Sequence, residues 1–282
     1  MVGVLGVSAS AILVRFSQAP SGVTAAYRLG WTVLLLLPVV LLRCRAELRR
    51  VTARDLVLCG ASGVLLALHL LTWFESLKRT SVASSTVLVS TEVIFTAMGF
   101  ALFLHGKIPR LGVWAILLAF GGSALLALSG GGGAGELSGN LLALAAASAA
   151  AVYTLIGRIQ RGHLSTTVYT FLTYLACFLT LLLGTAAAGT PLTGYGGREW
   201  LIGLALAVLC TLLGHSLFSW CLKYLSPSYV SAAKLCEPVF SSLAAIPLFG
   251  EVPGPLQLAG GAAVLGAVLL YTWAEREKTP AG

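Results

Sequence analysis

Long apolar runs, separated by short polar or Gly/Pro-rich breaks, fill most of the 282-residue chain. A membrane-spanning helix needs about 20 consecutive and mostly apolar residues, and roughly ten such runs follow one another here. We predict spans at residues 1–15, 22–42, 55–75, 81–104, 110–129, 139–157, 165–185, 199–222, 228–249 and 255–274. The pattern therefore predicts an all-α integral membrane protein with ten transmembrane helices and little chain outside the bilayer.

The composition excludes an ordinary soluble domain. Hydrophobic residues make up 57% of the chain and charged residues only 10%, whereas a typical soluble domain carries about 25% charged residues. The six cysteines show no C-x-x-C spacing and mostly lie inside apolar runs. We interpret them as small packing residues, because free cysteine behaves as a small hydrophobic side chain.

The basic residues predict the orientation of the spans, because lysine and arginine favour cytoplasmic loops. With a cytoplasmic N-terminus, the inner loops and tail hold Arg43, Arg45, Arg49, Arg50, Arg54, Lys107, Arg110, Arg158, Arg161, Lys223, Arg276 and Lys278. The outer loops then hold only Arg15, Lys78, Arg79 and Arg198. We therefore expect a protein of the cytoplasmic (inner) membrane with both termini inside. The net charge of +8 suits an anionic inner leaflet and does not indicate a nucleic-acid partner.

The first apolar run is short for a membrane span. It reaches a charge at Arg15, which gives about 20 Å of helix where about 30 Å is needed. Either this span is short or the start of the chain is trimmed. A cleaved signal peptide is disfavoured because the positively charged leading segment that it requires is missing.

The two halves of the chain repeat one another. A shift of 145 residues superimposes "WFESLKRTSVASSTVLVSTEVIF" on "FSWCLKYLSPSYVSAAKLCEPVF" without a gap, so that Lys78 meets Lys223 and Glu92 meets Glu237. Each repeat holds five predicted spans, an odd number, and the second repeat must therefore enter the bilayer from the opposite side. Such inverted repeats are typical of secondary transporters, whose site lies near the midplane between the halves.

The repeat also predicts the domain boundaries. We expect a first five-helix repeat at residues 1–130, a Gly-rich outer loop at 131–138, a second five-helix repeat at 139–274 and a cytoplasmic tail at 275–282. The loop sequence "SGGGGAGELSGN" is typical of a flexible connection. It does not indicate a phosphate-binding loop, because no Gly-Lys-Ser/Thr follows it and no strand precedes it.

Three stretches stand out beside the repeat: "AAYRLGW", "LTWFESLKRTSVASSTVLVS" and "KYLSPSYVSAAKLCEPVFSSLAAIPLFGEVP". Together with the repeat, they resemble the EamA-like branch of the drug/metabolite transporter superfamily. The resemblance covers nearly the whole chain. It implies an inverted-repeat helical bundle around a central cavity, and a carrier of small metabolites that often exports amino acids or related compounds. The repeats differ at one loop, where Gly106 stands at the position of Glu251, so a role for that glutamate is unsupported in the first half.

Two glutamates lie near the centres of predicted spans. Glu92 falls in the fourth span and Glu237 in the ninth, where an ionised carboxylate costs at least about 2.5 kcal/mol. Because desolvation favours the neutral form of a carboxyl group, a buried glutamate can take up and release a proton near neutral pH. We therefore expect these residues to couple transport to protons, with a structural hydrogen bond to a neighbouring helix as the alternative.

Other polar residues accompany these glutamates. Lys234 lies three residues before Glu237 on the same helical face, so the two can form either a permanent structural pair or a pair that a zwitterionic substrate opens. Pro238 removes a backbone donor, which a helix tolerates where it bends beside a cavity. Arg28 matches an arginine that the resembled family often carries in the second span. It either binds a substrate carboxylate or extends to the outer surface.

Histidines and aromatic residues complete the set of candidate site residues. His69 and His215 lie late in the third and eighth spans, one residue out of repeat register, and either relay protons or form structural hydrogen bonds. The neighbouring aromatic residues form either substrate-binding walls or interfacial anchors; they are Trp73, Phe74, Phe218 and Trp220. Small residues at fourfold spacing favour close helix contact, within the chain or across a homodimer; they are Ala115, Ala119, Ser123, Ala127, Ala259, Ala263 and Ala267.

These features favour a carrier over other functions. We expect export of a small metabolite, with amino acids and related zwitterions favoured because both charge signs are available in the core. The alternative is efflux of organic cations, with Glu92 and Glu237 beside aromatic residues. A channel would need a continuous polar lining, which the predicted spans lack. An intramembrane enzyme would need catalytic groups, but the one aspartate, Asp55, lies at a span end and no metal-ligand motif occurs in the sequence. We expect no cofactor or metal, and as partners the substrate, the lipid bilayer and coupling protons.

Overall fold

The fold is helical throughout the residues that the computed structural model describes, which are 2–103, 108–129, 134–224 and 236–276. The helices of the first repeat are α1 (Val2–Phe16), α2 (Ser21–Arg43), α3 (Arg45–Leu48), α4 (Ala53–Arg79), α5 (Val82–Val89), α6 (Glu92–Phe103) and α7 (Arg110–Ser129). Those of the second are α8 (Ala134–Gln160), α9 (Thr166–Ala187), α10 (Gly197–Ala205), a π-helical segment (Leu206–His215), α11 (Ser216–Cys221), α12 (Cys236–Phe249) and α13 (Pro255–Arg276). The predicted all-α class is therefore confirmed.

Among the residues that the structure describes, seven helical stretches are long and apolar enough to cross a membrane. Three shorter apolar helices, at Gly6–Phe16, Arg110–Leu126 and Glu237–Phe249, fall on the remaining predicted spans. The described helices thus follow the predicted apolar runs along the chain, and the number of ten crossings stays a prediction.

The helix boundaries repeat with the spacing found in the sequence. α2 begins at Ser21 and α9 at Thr166, while α7 begins at Arg110 and α13 at Pro255. Both pairs of starts lie 145 residues apart. The two halves of the sequence therefore fold into matching successions of helices.

A short interruption lies within the predicted fourth span at 81–104, although the stretch Val82–Gly99 is long and apolar enough to cross a membrane as one span. α5 ends at Val89 and α6 begins at Glu92, with Ser90 and Thr91 between them. The hydroxyl of Ser90 donates to Thr86 O at 2.9 Å and that of Thr91 to Leu88 O at 2.6 Å. Such local hydrogen bonds compete with the helical backbone bonds and favour an interruption at these residues.

The small residues of α7 and α13 pack these two helices against each other within one chain. Ala115 and Ala267 are fully buried in a shared cluster. A Cβ atom added to Gly122 would lie 2.9 Å from Ala263 Cβ, so the helices approach closely at this point. Of the two roles predicted for the small residues, the structure shows packing within the chain for Ala115, Ala119 and Ala267, whereas Ala259 is exposed.

The Gly-rich stretch is partly helical, because α8 begins at Ala134, five residues before the predicted start of that span. Its early residues are tied to the preceding repeat, since Thr80 Oγ1 donates to Asn140 Oδ1 at 2.9 Å. This contact lies at the end of the bundle where α4 ends and α5 begins.

Polar contacts gather at both ends of the bundle. At one end, named the Glu251 end, the C-terminal ends of α1, α4 and α12 meet the starts of α2, α5, α10 and α13. At the other, named the Asp55 end, Asp55 Oδ1 lies 2.6 Å from His163 Nε2 and accepts a hydrogen bond from Gln160 Nε2 at 3.2 Å. The apolar core, which includes Phe74 and Tyr174, lies between the two ends.

Candidate functional site

A polar cavity lies in the interior of the bundle, where residues from both repeats meet. Six of the eight predicted site residues line it: Arg28, His69, Trp73, Glu92, His215 and Glu237. The other lining residues are Val7, Ser10, Val89, Ser90 and Val93. Residues that are far apart in the sequence thus form one site with both charge signs.

Arg28 carries a buried positive charge with neutral hydrogen-bond partners. Its side chain is 1% exposed, and Nε donates to Thr211 Oγ1 at 2.8 Å while Nη1 donates to Ser10 Oγ at 3.3 Å. No described carboxylate forms an ion pair with it. Because a guanidinium has five N–H donors and stays charged, Arg28 retains donors and a positive charge for a ligand inside the cavity. Such a group suits a carboxylate ligand.

Glu92 lies in the first turn of α6, directly after the break in the fourth span. It is 7% exposed, and its Oε1 accepts a hydrogen bond from Thr154 Oγ1 of α8 at 2.8 Å. The backbone N–H groups of Val93 and Ile94 in this turn donate to Ser90 O and Thr91 O, and the positive end of the helix dipole favours a negative charge, which lowers the cost of an ionised carboxylate at this depth. The break in the helix therefore explains how the carboxylate is held beside the cavity.

Glu237 occupies the corresponding place in the second repeat, in the first turn of α12. Pro238 lies in the described helix Cys236–Phe249, within the predicted ninth span. Lys234 lies outside the described residues, and the predicted Lys234–Glu237 pair stays a prediction.

The two histidines face each other across the cavity, with ring centroids 6.4 Å apart. His69 Nδ1–H donates to Ala146 O at 2.9 Å, so in a neutral ring its Nε2 is the acceptor. His215 ends the π-helical segment Leu206–His215. His69, in contrast, lies within the α-helix α4.

Close packing against α1 accompanies the π-helical segment. A Cβ atom on Gly6 would lie 2.3 Å from Leu209 O, so only a glycine lets the two backbones approach this closely. The same contact brings Ser10 of α1 and Thr211 of the π-helical segment to opposite sides of Arg28. The geometry of the Arg28 site therefore depends on this glycine.

Trp73 supplies a buried hydrogen-bond donor. The indole is 4% exposed and stacks on the His69 ring at a centroid distance of 6.0 Å and an interplanar angle of 19°. Its Nε1–H has no hydrogen-bond partner among the described residues. A buried donor without a partner costs about 1–3 kcal/mol, and a ligand acceptor in the cavity would remove that cost.

The cavity is small in this conformation, with a volume of about 40 Å³. A single water needs about 10–15 Å³ by this measure, so the cavity holds a few waters. A larger ligand requires the surrounding helices to move apart.

Sequence reasoning missed the hydroxyl residues that hold the charged groups. Ser10, Thr154 and Thr211 contact Arg28 or Glu92, and their only sequence signal is a polar residue inside an apolar run. Trp220, in contrast, lies on the surface with 51% exposure and contacts Tyr224 at a centroid distance of 5.0 Å. This placement favours the alternative prediction that it anchors a span at the membrane interface.

Comparisons with known proteins agree with this architecture. Residues 1–128 and 137–273 each match the EamA-like transporter family. The pseudopaline exporter CntI of Pseudomonas aeruginosa (strain UCBPP-PA14) is 24% identical over 207 residues, which cover 73% of this chain and 72% of the relative. The probable terminal-alkyne amino-acid exporter of Streptantibioticus cattleyicolor is 28% identical over 233 residues, which cover 79% and 75%.

A solved crystal structure shares the fold. It superimposes with a TM-score of 0.66 at 20% sequence identity and covers 99% of this chain and 96% of the other. The resemblance noted in the sequence is therefore confirmed over nearly its whole length. The chain belongs to the EamA-like transporter family of the drug/metabolite transporter type, and it is a multi-pass membrane transporter rather than an enzyme.

Proposed function

We propose that this protein exports a small zwitterionic metabolite, an amino acid or a close relative, across the inner membrane. Arg28 carries the proposal, because a fully buried guanidinium with neutral hydroxyl partners suits a substrate carboxylate. Glu92 and Glu237 line the same cavity and would bind the substrate ammonium group. A zwitterion is thus the ligand class whose two charges both find a partner.

The relatives support the direction and the class. One is named as an amino-acid exporter and another as the exporter of pseudopaline. We propose ten membrane crossings as two inverted five-helix repeats around the central cavity, with both termini cytoplasmic. In this orientation the Glu251 end faces outwards, and the substrate leaves through it. Uptake and release of a proton by Glu92 or Glu237 would supply the coupling.

Substrate counterflow in liposomes tests the proposal. Purified protein would be reconstituted, and the 20 standard L-amino acids would be compared with their decarboxylated amines and with carboxylic acids that lack the amino group. We expect counterflow of one or more amino acids and none of the matching amines or acids. Counterflow of the amines alone would replace the proposal by organic-cation efflux, and an absence of counterflow for all three sets would contradict a metabolite carrier of this class.

A further inference from the structure

Glu251 forms a contact between the repeats at one end of the cavity. Its Oε1 pairs with Arg15 Nη2 of α1, and its Oε2 accepts a hydrogen bond from the backbone N–H of Val82 at 2.8 Å, at the start of α5. Arg15 Nη1 also donates to Leu77 O of α4 at 2.8 Å. One carboxylate of the second repeat therefore contacts two helices of the first directly and a third through Arg15.

The loop that carries Glu251 is shaped for this contact. α12 ends at Phe249, and Gly250 adopts φ 69°, a left-handed conformation that favours glycine at a helix C-terminus. Gly250 N–H donates to Ile246 O at 2.9 Å. Farther along, Gln257 Nε2 donates to Ser81 Oγ at 2.6 Å and Ser84 Oγ at 2.7 Å, so the start of α13 also attaches to α5.

The contact lies directly beyond the cavity on the helices that line it. Arg15 lies five residues after Ser10 on α1, about 7.5 Å along the helix axis, and Val82 lies seven residues before Val89 on α5, about 10 Å away. Ser10 and Val89 both line the cavity.

Aromatic rings lie beside the ion pair. The rings of Phe16 and Phe249 have centroids 5.2 Å apart, and Arg15 Cζ lies 5.4 Å from the centroid of the Phe249 ring. The ion pair and the aromatic pair thus form one cluster at the Glu251 end of the bundle. The cluster consists of Arg15, Phe16, Phe249 and Glu251.

The pair is sheltered compared with another ion pair at the same end. The side chains of Arg15 and Glu251 are 26% and 19% exposed, whereas those of Arg79 and Glu75 are 46% and 36% exposed and belong to one helix. An exposed pair within a helix contributes little, while a sheltered, charge-assisted contact between elements contributes more. The Arg79–Glu75 pair is therefore a matched control.

We propose that Glu251 is a latch that holds this end of the cavity closed, and that substrate passes the Glu251 end only when the Arg15–Glu251 contact breaks. The inference rests on the proposed transport function. It assigns a role to Glu251 in the transport cycle. That role needs no glutamate at the equivalent position, Gly106, in the first repeat, because Glu251 by itself contacts both α1 and α5.

Thiol labelling tests the latch without a substrate. A Val89→Cys reporter would be placed in a chain whose six native cysteines are replaced, and a membrane-impermeant thiol reagent would be added to intact cells and, separately, to inverted vesicles. Glu251→Gln removes the charge and keeps nearly the same volume. We expect it to raise the labelling rate about tenfold in the preparation that exposes the Glu251 end, while Arg79→Gln leaves the rate unchanged.

A cross-link gives the opposite change. A double variant of the same reporter chain carries Arg15→Cys and Glu251→Cys. A bifunctional thiol reagent would first join these two cysteines, and labelling of the reporter from this end should then be abolished. Equal labelling of Glu251→Gln and Arg79→Gln, in samples with unchanged size-exclusion profiles, would overturn the latch. The latch can fail while the wild-type protein still shows counterflow, and it can hold when counterflow fails, so the two proposals are separable.

Discussion

The first repeat contributes an arginine at a position where the second repeat has a threonine. Arg28 on α2 and Thr173 on α9 are equivalent when the helices are aligned at Ser21 and Thr166, and both side chains are buried. The glutamates, in contrast, recur, since Glu92 and Glu237 each lie in the first turn of a helix beside the cavity. The glutamates, which occur in both repeats, suit a task that both halves perform. The arginine, which occurs in one repeat, suits the recognition of an asymmetric substrate.

The largest effect is expected from Arg28. Arg28→Gln should lower amino-acid counterflow about a hundredfold or more, because it removes a buried charge-assisted contact to the substrate. Arg28→Lys keeps the charge but loses the planar array of donors, so we expect a loss of about tenfold. Thr173→Val is the matched change in the second repeat and should alter counterflow less than about threefold. An equal loss in the arginine and threonine variants would remove the distinction between the repeats.

Substitution of the two glutamates should affect proton coupling, whereas substitution of Arg28 should affect substrate binding. Glu237→Gln and Glu92→Gln preserve volume and hydrogen-bonding capacity but remove the titratable proton. If either residue carries the coupling proton, its variant should lose pH-gradient-driven uptake by about tenfold or more while it still exchanges substrate for substrate. Uptake and exchange measured in the same liposomes separate these steps. Unchanged gradient-driven uptake in both variants would rule out both carboxylates as obligatory proton sites.

A smaller effect is expected at Trp73. Trp73→Phe removes the indole N–H and keeps an aromatic ring against His69, so the loss of one hydrogen bond to substrate should weaken binding about fivefold. Trp220→Phe is the control, because Trp220 lies on the surface and should give wild-type affinity. The thermal stability of the two variants in the presence of increasing amino acid measures both affinities. Equal affinities would show that the N–H of Trp73 does not contact the substrate.

The helical class and the repeat could be predicted from the sequence because both rest on long-range regularities. Single departures from the pattern obscure neither the apolar runs of span length nor the 145-residue spacing. The described helices coincide with the apolar runs and repeat with that spacing. The residues that line the cavity could also be predicted in part. Charged and polar side chains inside apolar runs are costly, so the positions of Arg28, Glu92 and Glu237 in the sequence are enough to mark them as candidates.

Local departures from regular helix could not be predicted in the same way. The break at Ser90 and Thr91 depends on side-chain hydrogen bonds to preceding carbonyl groups, and hydroxyl residues form the same bonds in unbroken helices. The π-helical segment packs against α1 at Gly6, a tertiary contact without a local pattern. The sequence therefore indicates which charged residues are costly in a membrane. The tertiary structure shows that Ser10, Thr154 and Thr211 form hydrogen bonds with two of them, Arg28 and Glu92.

The measurement that tests the central claim most directly is ligand-induced stabilisation of the purified wild-type protein. The amino acid with the strongest counterflow would be compared with its methyl ester, which keeps the ammonium group but neutralises the carboxylate, and with its decarboxylated amine. We expect the amino acid at about 100 times its dissociation constant to add about 2.7 kcal/mol of stability, and the ester and the amine to add almost none, because Arg28 then lacks an anionic partner. Equal stabilisation by the ester or the amine would contradict a carboxylate site at Arg28.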